Sequence, residues 1–274
     1  MHVYDGSVEI MYKVNWNHSA QEYPTLYYAI DNTTNWTQWN WQQDTISVNS
    51  GQTVYFYGPS TNRMCTNENG SEYRNGFGVS SGTGKIDLIG NLLSIINPNW
   101  TQDIAAGINC NNMRDKGNCR FAGLFIGIKD NLYNAGNMYI RTTNVNIGGE
   151  YNIGFGSMFA GCTHLLTAPH WICANNTLTC TGIAAFISMF DGCTSLSEAE
   201  IPPITGGSTN RTLESLFNGC SSLNKIIYKG TLNLNYSYLS RGVASTGDFY
   251  NLNGATYATG SNGIPANWTI HTTL

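Results

Sequence analysis

The nine residues from Ser188 to Leu196, SMFDGCTSL, decide the fold, because close variants of this phrase occur on both sides of them. SMFAGCTHL begins at Ser157, and SLFNGCSSL begins at Ser215. The cysteines of the three copies are separated by 31 and 27 residues, which is the range of repeat units that stack into solenoids. The chain is therefore predicted to contain a stacked array.

A weaker copy, GLFIGIKDNL at residues 123–132, indicates what the cysteine does. In this copy Phe125 occupies the position of the repeated phenylalanine. Ile128 occupies the position of the cysteine, 34 residues before Cys162. Isoleucine cannot bind a metal, form a disulfide or attack a substrate, but it fills an apolar slot, as buried cysteine commonly does. The cysteines are therefore interpreted as packing residues. The predicted repeat core consists of Phe125, Ile128, Phe159, Cys162, Phe190, Cys193, Phe217 and Cys220.

Each unit is predicted to be a short helix, a turn and a strand. The helix would present Met or Leu and Phe, and the glycine would end it in a left-handed conformation. The stretches LTAPHWI, SEAEIPPI and NKIIYKG follow the three copies and are predicted strands. Stacked units would bury their phenylalanines in one row, which no single unit could bury alone.

The first third of the chain has a different pattern, with apolar residues at every second position. IMYKVNW, TLYYAID, TISV and TVYFYG are rich in Val, Ile, Thr and Tyr, which favours strands. They predict a small antiparallel β-sandwich in which Ser50 and Gly51 turn a hairpin between Val48 and Val54. The predicted fold class is thus α+β, mostly β. The predicted segments are a sandwich at 1–97, a linker at 98–120, the repeat array at 121–230 and a C-terminal cap at 231–274.

The repeated phrases resemble the BspA-like leucine-rich repeats, whose units carry MFxGCxSL followed by a strand that often contains proline. Pro169 and Pro202-Pro203 match that proline, and GVASTGDFYNLNGATYATGSNGIPANWTI at 242–270 resembles the family's closing segment. The sequence departs from the family in its first copy, which lacks the cysteine, in Leu216 where Met is usual, and in its variable unit lengths. The resemblance implies a helix-turn-strand array in a surface or particle-borne adhesion protein. No cofactor is expected.

The composition excludes several classes of partner. Only 11% of the 274 residues are charged, against roughly 25% in ordinary soluble domains, and the net charge is −4 without a Lys/Arg cluster. Nucleic acid is therefore not an expected partner. No apolar run reaches the roughly 18 residues of a membrane helix, so membrane insertion is not expected. The chain starts without a visible signal peptide, and its nine Asn-x-Ser/Thr sequons are attributed to its high Asn and Thr content.

Metal and disulfide chemistry were considered for one cysteine-rich and histidine-rich segment. Its candidate ligands have spacings that fit no standard zinc site, and they are Cys162, His164, His170, Cys173 and Cys180. Zinc ranks below a Cys173–Cys180 disulfide and below plain thiols, so no metal is predicted. Cys110 and Cys119 raise the same disulfide question, and the sequence does not give the connectivity of these cysteines or of Cys65.

The candidate contact site is the segment NWTQWNW, which contains Trp36, Trp39 and Trp41. In an extended segment Trp39 and Trp41 point to the same face, and two exposed indoles would form a platform for a sugar. The alternative is that the tryptophans fill the core, since large aromatic residues are mostly buried. An enzyme alternative needs two carboxylates facing a sugar, and the candidates for them are Asp31, Asp44 and Asp87.

The sequence as a whole predicts a non-catalytic recognition or structural protein. The expected setting is a phage virion, as a fibre or receptor-binding accessory, because the missing leader and the family resemblance both favour it. The expected partners are a bacterial surface glycan or protein, or other virion proteins, and homo-oligomers are possible. The alternatives are a bacterial cell-surface adhesin and a polysaccharide-degrading enzyme.

Overall fold

The computed structural model of the protein describes residues 1–13, 24–58, 76–96, 108–109, 121–145, 154–173, 178–180, 184–207 and 211–274. Within these ranges the only helix is a 3-10 turn at Leu92–Ile96, and no helix among them is long and apolar enough to cross a membrane. The strands are β1 (His2–Tyr4), β2 (Val8–Lys13), β3 (Tyr27–Ile30), β4 (Thr37–Gln38), β5 (Ile46–Val48), β6 (Val54–Tyr57), β7 (Gly76–Gly82), β8 (Lys85–Asn91), β9 (Ile108–Asn109), β10 (Leu132–Val145), β11 (His170–Ile172), β12 (Leu178–Cys180), β13 (Glu198–Ile201), β14 (Ile204–Gly207), β15 (Lys225–Tyr228), β16 (Asp248–Asn251) and β17 (Thr269–His271).

The N-terminal strands form two three-stranded antiparallel sheets, β5-β2-β7 and β4-β3-β6. Along β2 the residues Val8, Ile10 and Tyr12 are buried and those between them are more exposed, as the period of a half-buried strand requires. The two sheets meet through aromatic rings, and the centroids of Phe56 in β6 and Phe77 in β7 are 4.9 Å apart. This contact makes the two sheets share one core.

The hairpin predicted between Val48 and Val54 is wrong. The turn exists, and Gly51 adopts a φ of 87°, but β5 pairs with β2 whereas β6 pairs with β3. Both strands have buried residues of the shared core, Ile46 and Val48 in β5 and Val54 in β6. The turn therefore carries the chain from one sheet to the other, so that each strand faces the core from its own side.

The repeated phrases are not helices. Ser157 and Gly161 of one copy have φ values of 51° and 73°, and the next copies repeat this at Ser188 with Gly192 and at Ser215 with Gly219. A positive φ interrupts a right-handed helix, so each phrase becomes a series of turns closed by hydrogen bonds between residues three apart. The N–H of Cys162, for example, donates to the carbonyl of Phe159 at 3.0 Å.

Backbone hydrogen bonds join each copy to the next. The N–H of Phe159 donates to Met189 O at 2.9 Å, and that of Phe190 donates to Leu216 O at 3.0 Å. Every second residue of the phrase repeats this bond, so the copies are paired in parallel, like the strands of a sheet. The backbone groups that a helix would pair within one phrase are thus satisfied between phrases.

The predicted fold class, a β-sandwich followed by a helix-turn-strand array of the leucine-rich-repeat type, is therefore wrong. The described part of the protein is nearly all β and turn, with its strands divided among several small sheets. The helix prediction failed because Phe155, Met158, Phe159 and Cys162 are buried at spacings of three and four. That spacing is typical of a helix, but a coil of successive four-residue turns produces it as well.

Parallel sheets run beside the stacked turns. Four strands in the order β13-β15-β16-β17 pair in register, so that Ala199, Ile226, Phe249 and Ile270 form one row. The larger sheet follows the path β1-β8-β10-β12-β14, with β9 and β11 also paired to β10. Because β8 pairs with β10, this larger sheet joins β1 and β8 of the N-terminal region to strands of the repeats.

One more copy of the stacked turns, or layer, lies within residues 231–274, the predicted C-terminal cap. The N–H of Gly219 donates to Arg241 O at 2.7 Å, and Tyr238 and Gly242 repeat the two left-handed positions. In this layer Ser240 occupies the phenylalanine slot and Val243 occupies the cysteine slot. The strand β16 follows this layer and pairs with β15 of the preceding one.

The core is a single cluster that passes through both regions. All eight predicted repeat-core residues are buried in it, and the rings of Phe125, Phe159, Phe190 and Phe217 stack at successive centroid distances of 5.3, 5.3 and 5.7 Å. A second column, Phe121, Phe155 and Phe186, was not predicted. Phe77 of β7 stacks on Phe125 at 6.1 Å and so joins the first column to the N-terminal sheets. The predicted domain boundaries stay predictions.

Candidate functional site

The tryptophan segment is held in place by the turn that precedes it. Within that turn the side-chain oxygen of Asn32 accepts hydrogen bonds from the N–H groups of Thr34 and Asn35, at 3.1 and 3.0 Å. Short polar side chains commonly stabilise turns in this way. The strand β4 follows and pairs with β3, which places the tryptophans beside the edge of the second sheet.

Trp39 belongs to the core. Its side chain is 4% exposed, its ring lies 5.8 Å from that of Phe56 and 6.4 Å from that of Phe77, and its indole N–H donates to Asp44 O at 3.1 Å. Every polar atom of the indole is therefore satisfied inside the protein. Trp39 therefore contributes no exposed ring. This burial is what the alternative interpretation, in which the tryptophans fill the core, requires of it.

Trp36 and Trp41 are half-buried, and each is held by contacts of its own. The Trp41 indole donates to Pro24 O at 2.9 Å, and its ring meets Tyr12 edge-on at 5.4 Å. The Trp36 indole donates to Thr33 O at 3.0 Å, and its ring meets Tyr57 edge-on at 4.5 Å. The predicted platform of two adjacent exposed indoles does not form, because β4 ends at Gln38 and the chain turns at Trp41.

A polar groove lies beside Trp41. Its volume is about 440 Å³, and it is lined by Pro24, Thr25, Gln38, Trp39, Asn40, Trp41 and Gln42. Three of these residues carry exposed amide side chains, and none of the seven is charged. Amides present both donors and acceptors, so this groove combines the partly buried ring of Trp41 with neutral hydrogen-bonding groups.

The sequence could not have located this groove, because Pro24 and Thr25 meet residues 38–42 only through the pairing of β3 with β4. The N–H of Trp39 donates to Leu26 O at 2.8 Å and fixes that approach. The amides of Gln38, Asn40 and Gln42 alternate with the tryptophans along the sequence, which was the available signal.

The carboxylates considered for an enzyme have separate tasks. Asp31 accepts hydrogen bonds from the N–H of Thr53 at 2.7 Å and from the side chain of Gln52 at 3.0 Å, so it stabilises the turn before β6. Burial raises the pKa of Asp87 in β8, against the opposing effect of a hydrogen bond from Tyr4. Asp44 is exposed. The structure gives these three residues no shared site.

The segment considered for zinc is not gathered into a site in the described part of the chain. No group of three or more His, Cys, Asp or Glu residues there could hold a metal ion. Cys162 is buried, whereas His164 is exposed and stacks on Tyr133 at 5.1 Å. Cys173 and Cys180 do not form the disulfide that was considered. Cys65, Cys110 and Cys119 lie outside the described residues.

The three repeat cysteines form a buried column. The thiol of Cys193 donates to Phe159 O at 3.1 Å, and that of Cys220 donates to Phe190 O at 3.0 Å. Burial raises the pKa of the Cys193 thiol to about 12, and it also raises the pKa values of Cys162 and Cys220. Because the thiolate is the reactive form, this burial favours packing over nucleophilic chemistry for the three cysteines near neutral pH.

Comparison with known proteins adds no relative. No family model, characterised protein or solved structure matches the chain. The resemblance to the BspA-like repeats therefore depends only on the quoted phrases.

Proposed function

We propose that this protein is a non-catalytic recognition protein that binds an uncharged glycan of a bacterial surface. The observation that carries the proposal is the polar groove, in which the half-buried ring of Trp41 is surrounded by the amides of Gln38, Asn40 and Gln42.

The chemistry of the groove fits a sugar. The apolar face of a pyranose packs on an aromatic ring, and its hydroxyl groups pair with side chains that both donate and accept hydrogen bonds. Trp41 is held in position by its hydrogen bond to Pro24 O, so little side-chain entropy is lost when a ligand binds. Because no lining residue is charged, the preferred glycan is a neutral one.

The setting we propose is the phage virion, where the protein would serve as a fibre or receptor-binding accessory. The likeness of the repeated phrases to surface and particle-borne proteins supports this setting, and a bacterial cell-surface adhesin is the alternative. Immunogold electron microscopy with an antibody against residues 1–96 distinguishes the two. Label on phage particles supports the virion, and label on the cell envelope with bare particles contradicts it.

Glycan binding is tested by affinity electrophoresis through native gels that contain a neutral β-glucan, an α-mannan or a rhamnose-rich cell-wall polysaccharide. At least one polymer is expected to retard the protein, and Trp41→Ala is expected to weaken the retardation at least tenfold. Tyr238→Asn is the matched control, because it removes an aromatic ring that is 47% exposed in the last layer of turns, far along the chain from the groove.

Two results would contradict this function. Retardation by none of the polymers, or equal retardation of Trp41→Ala with an unchanged circular dichroism spectrum, would remove the groove from consideration. Sustained release of reducing sugar that disappears in Asp31→Ala or Asp44→Ala would instead identify a polysaccharide-degrading enzyme.

A further inference from the structure

An apolar cavity of about 200 Å³ lies between the N-terminal sheets and the first repeat. Side chains from β6, β7, β8, β10, the 3-10 helix and the first repeat line it, and they include Phe56, Phe77, Leu88, Leu92, Phe125 and Met138. Trp36 also contacts the cavity, but none of the residues that line the polar groove does. The cavity and the groove are therefore two separate sites.

The walls of the cavity are fixed by hydrogen bonds. Asn91 accepts the N–H of Leu93 at 3.1 Å at the start of the 3-10 helix, and the hydroxyl of Ser94 donates to Phe56 O at 3.1 Å. The second bond ties the helix to β6, and the backbone bond from Gly58 N to Ser94 O at 3.1 Å repeats this link. Because both walls are anchored, the space between them is a preformed site.

We propose that this cavity binds one small uncharged aromatic group. A dry apolar cavity of about 150 Å³ accommodates benzene, so this one has room for a slightly larger ring. Its lining offers the geometry that aromatic rings prefer, since Phe56 and Phe77 meet at an interplanar angle of 54° with centroids 4.9 Å apart. Met138 adds a flexible thioether of the kind that contacts rings favourably.

The polar groups of the lining define the ligand further. No charged side chain is present among the described lining residues, so an ionised ligand would lose its hydration without compensation. The polar side chains of Asn91 and Ser94 in the lining already take part in hydrogen bonds within the protein, so few groups are left for a polar ligand. The expected ligand is thus an aromatic ring with at most one or two neutral polar substituents.

Isothermal titration calorimetry on the full chain tests this site, with phenol and indole as aromatic probes and 1-hexanol as an aliphatic probe. Saturable one-to-one binding of phenol or indole is expected, at least tenfold tighter than that of 1-hexanol. Met138→Trp fills the cavity and is expected to weaken aromatic binding at least tenfold. Leu88→Phe fills it less and is expected to weaken binding about threefold. Gln42→Ala changes only the groove and is expected to bind the probes like the wild type.

The outcomes separate this proposal from the glycan proposal. Absence of saturable aromatic binding at millimolar concentration, or tighter binding of 1-hexanol, would overturn the aromatic assignment whatever the glycan result. If Met138→Trp fails to fold by circular dichroism, Leu88→Phe decides the location, and wild-type affinity in a folded Leu88→Phe variant would overturn it.

Discussion

The two halves of the core differ in how regularly they pack aromatic rings. In the phenylalanine columns of the repeats the rings are nearly parallel, with interplanar angles of 4° for Phe159 with Phe190 and 11° for Phe155 with Phe186. In the N-terminal region the angles vary widely, from 9° for Tyr27 with Tyr57 to 87° for Tyr12 with Phe77. Successive copies of the phrase place equivalent phenylalanines in register, so their rings stack. The N-terminal strands have unrelated sequences, and their rings pack at whatever angle the available space allows.

This difference explains where binding sites can occur. A layer that repeats its neighbour leaves no space between equivalent side chains, so every member of the phenylalanine column is buried. Irregular packing in the N-terminal region leaves both the groove beside Trp41 and the cavity beside Trp36. The groove thus lies in the irregular region, and the cavity lies where that region meets the first repeat.

The largest expected effect comes from Phe190→Ala in the middle of the phenylalanine column. The ring is fully buried, and its loss is expected to lower the free energy of unfolding by about 3–5 kcal/mol, as measured by urea denaturation. Hydrogen exchange should rise most in β13 and β15, beside the truncated layer. Equal increases of hydrogen exchange in β2 and β3 would show that the repeats and the N-terminal region open as one unit. The distinction between the two regions would then fail.

Gly127→Ala tests the junction between the regions. A Cβ at this position would lie 2.4 Å from Phe77 O, so β7 has to move away from the first repeat. Gly192→Ala is the matched variant within the array, where the left-handed φ of 73° costs about 1–2 kcal/mol but the nearest atom is 3.8 Å from the new Cβ. In urea denaturation, Gly127→Ala is expected to lower the free energy of unfolding more than Gly192→Ala does. The reverse order would mean that the junction between the two regions can adjust to the added methyl group.

Cys193→Ala tests whether the cysteine column contributes packing alone. Removing one buried atom is expected to lower the free energy of unfolding by about 0.5–1.5 kcal/mol, similar to other small core truncations. Chelators should leave the urea midpoint unchanged. A loss above about 3 kcal/mol, or a midpoint that falls with EDTA, would reveal a metal or covalent role for this column.

The smallest effect concerns pH. Hydrogen bonds from Arg211 at 2.7 and 3.0 Å lower the pKa of Glu214 below its ordinary value of 4.5. The stabilisation from this pair is complete above pH 4.5 and is lost as the pH falls through the lowered pKa of the folded state. Because Arg211 is exposed and Glu214 is partly exposed, solvent screens the pair and the loss should stay below about 1 kcal/mol. Urea titrations at pH 3 and pH 6 should differ less in Arg211→Ala than in the wild type, and an equal difference would rule out this pair.

The sequence predicted which repeat residues are buried but not the backbone that buries them. The positions of Phe159, Phe190 and Phe217 repeat clearly, and their burial follows from stacking. The positive φ values of Ser157, Ser188 and Ser215 leave no mark in composition, because serine is common in many conformations. The final layer was missed because Ser240 and Val243 replace the two residues that define the phrase.

From the sequence, the groove beside Trp41 could be predicted only as a segment of the chain. The tryptophans of residues 36–41 are conspicuous, yet their directions depend on where β4 ends, and that position is set by pairing with β3. The cavity was beyond sequence reasoning, since Phe56, Leu88 and Met138 are brought together by three different strands. Contacts between distant strands leave no local pattern in the chain.

The hydrogen bonds between layers also have a consequence for how such a chain can change length. Each layer pairs with its neighbour as parallel strands do, so one added unit would extend the molecule by about 4.8 Å without altering the pairing at either end. Duplication or deletion of whole units would thus adjust the distance between the N-terminal sites and the C-terminus in fixed steps. The number of copies of the phrase therefore sets the length of the array.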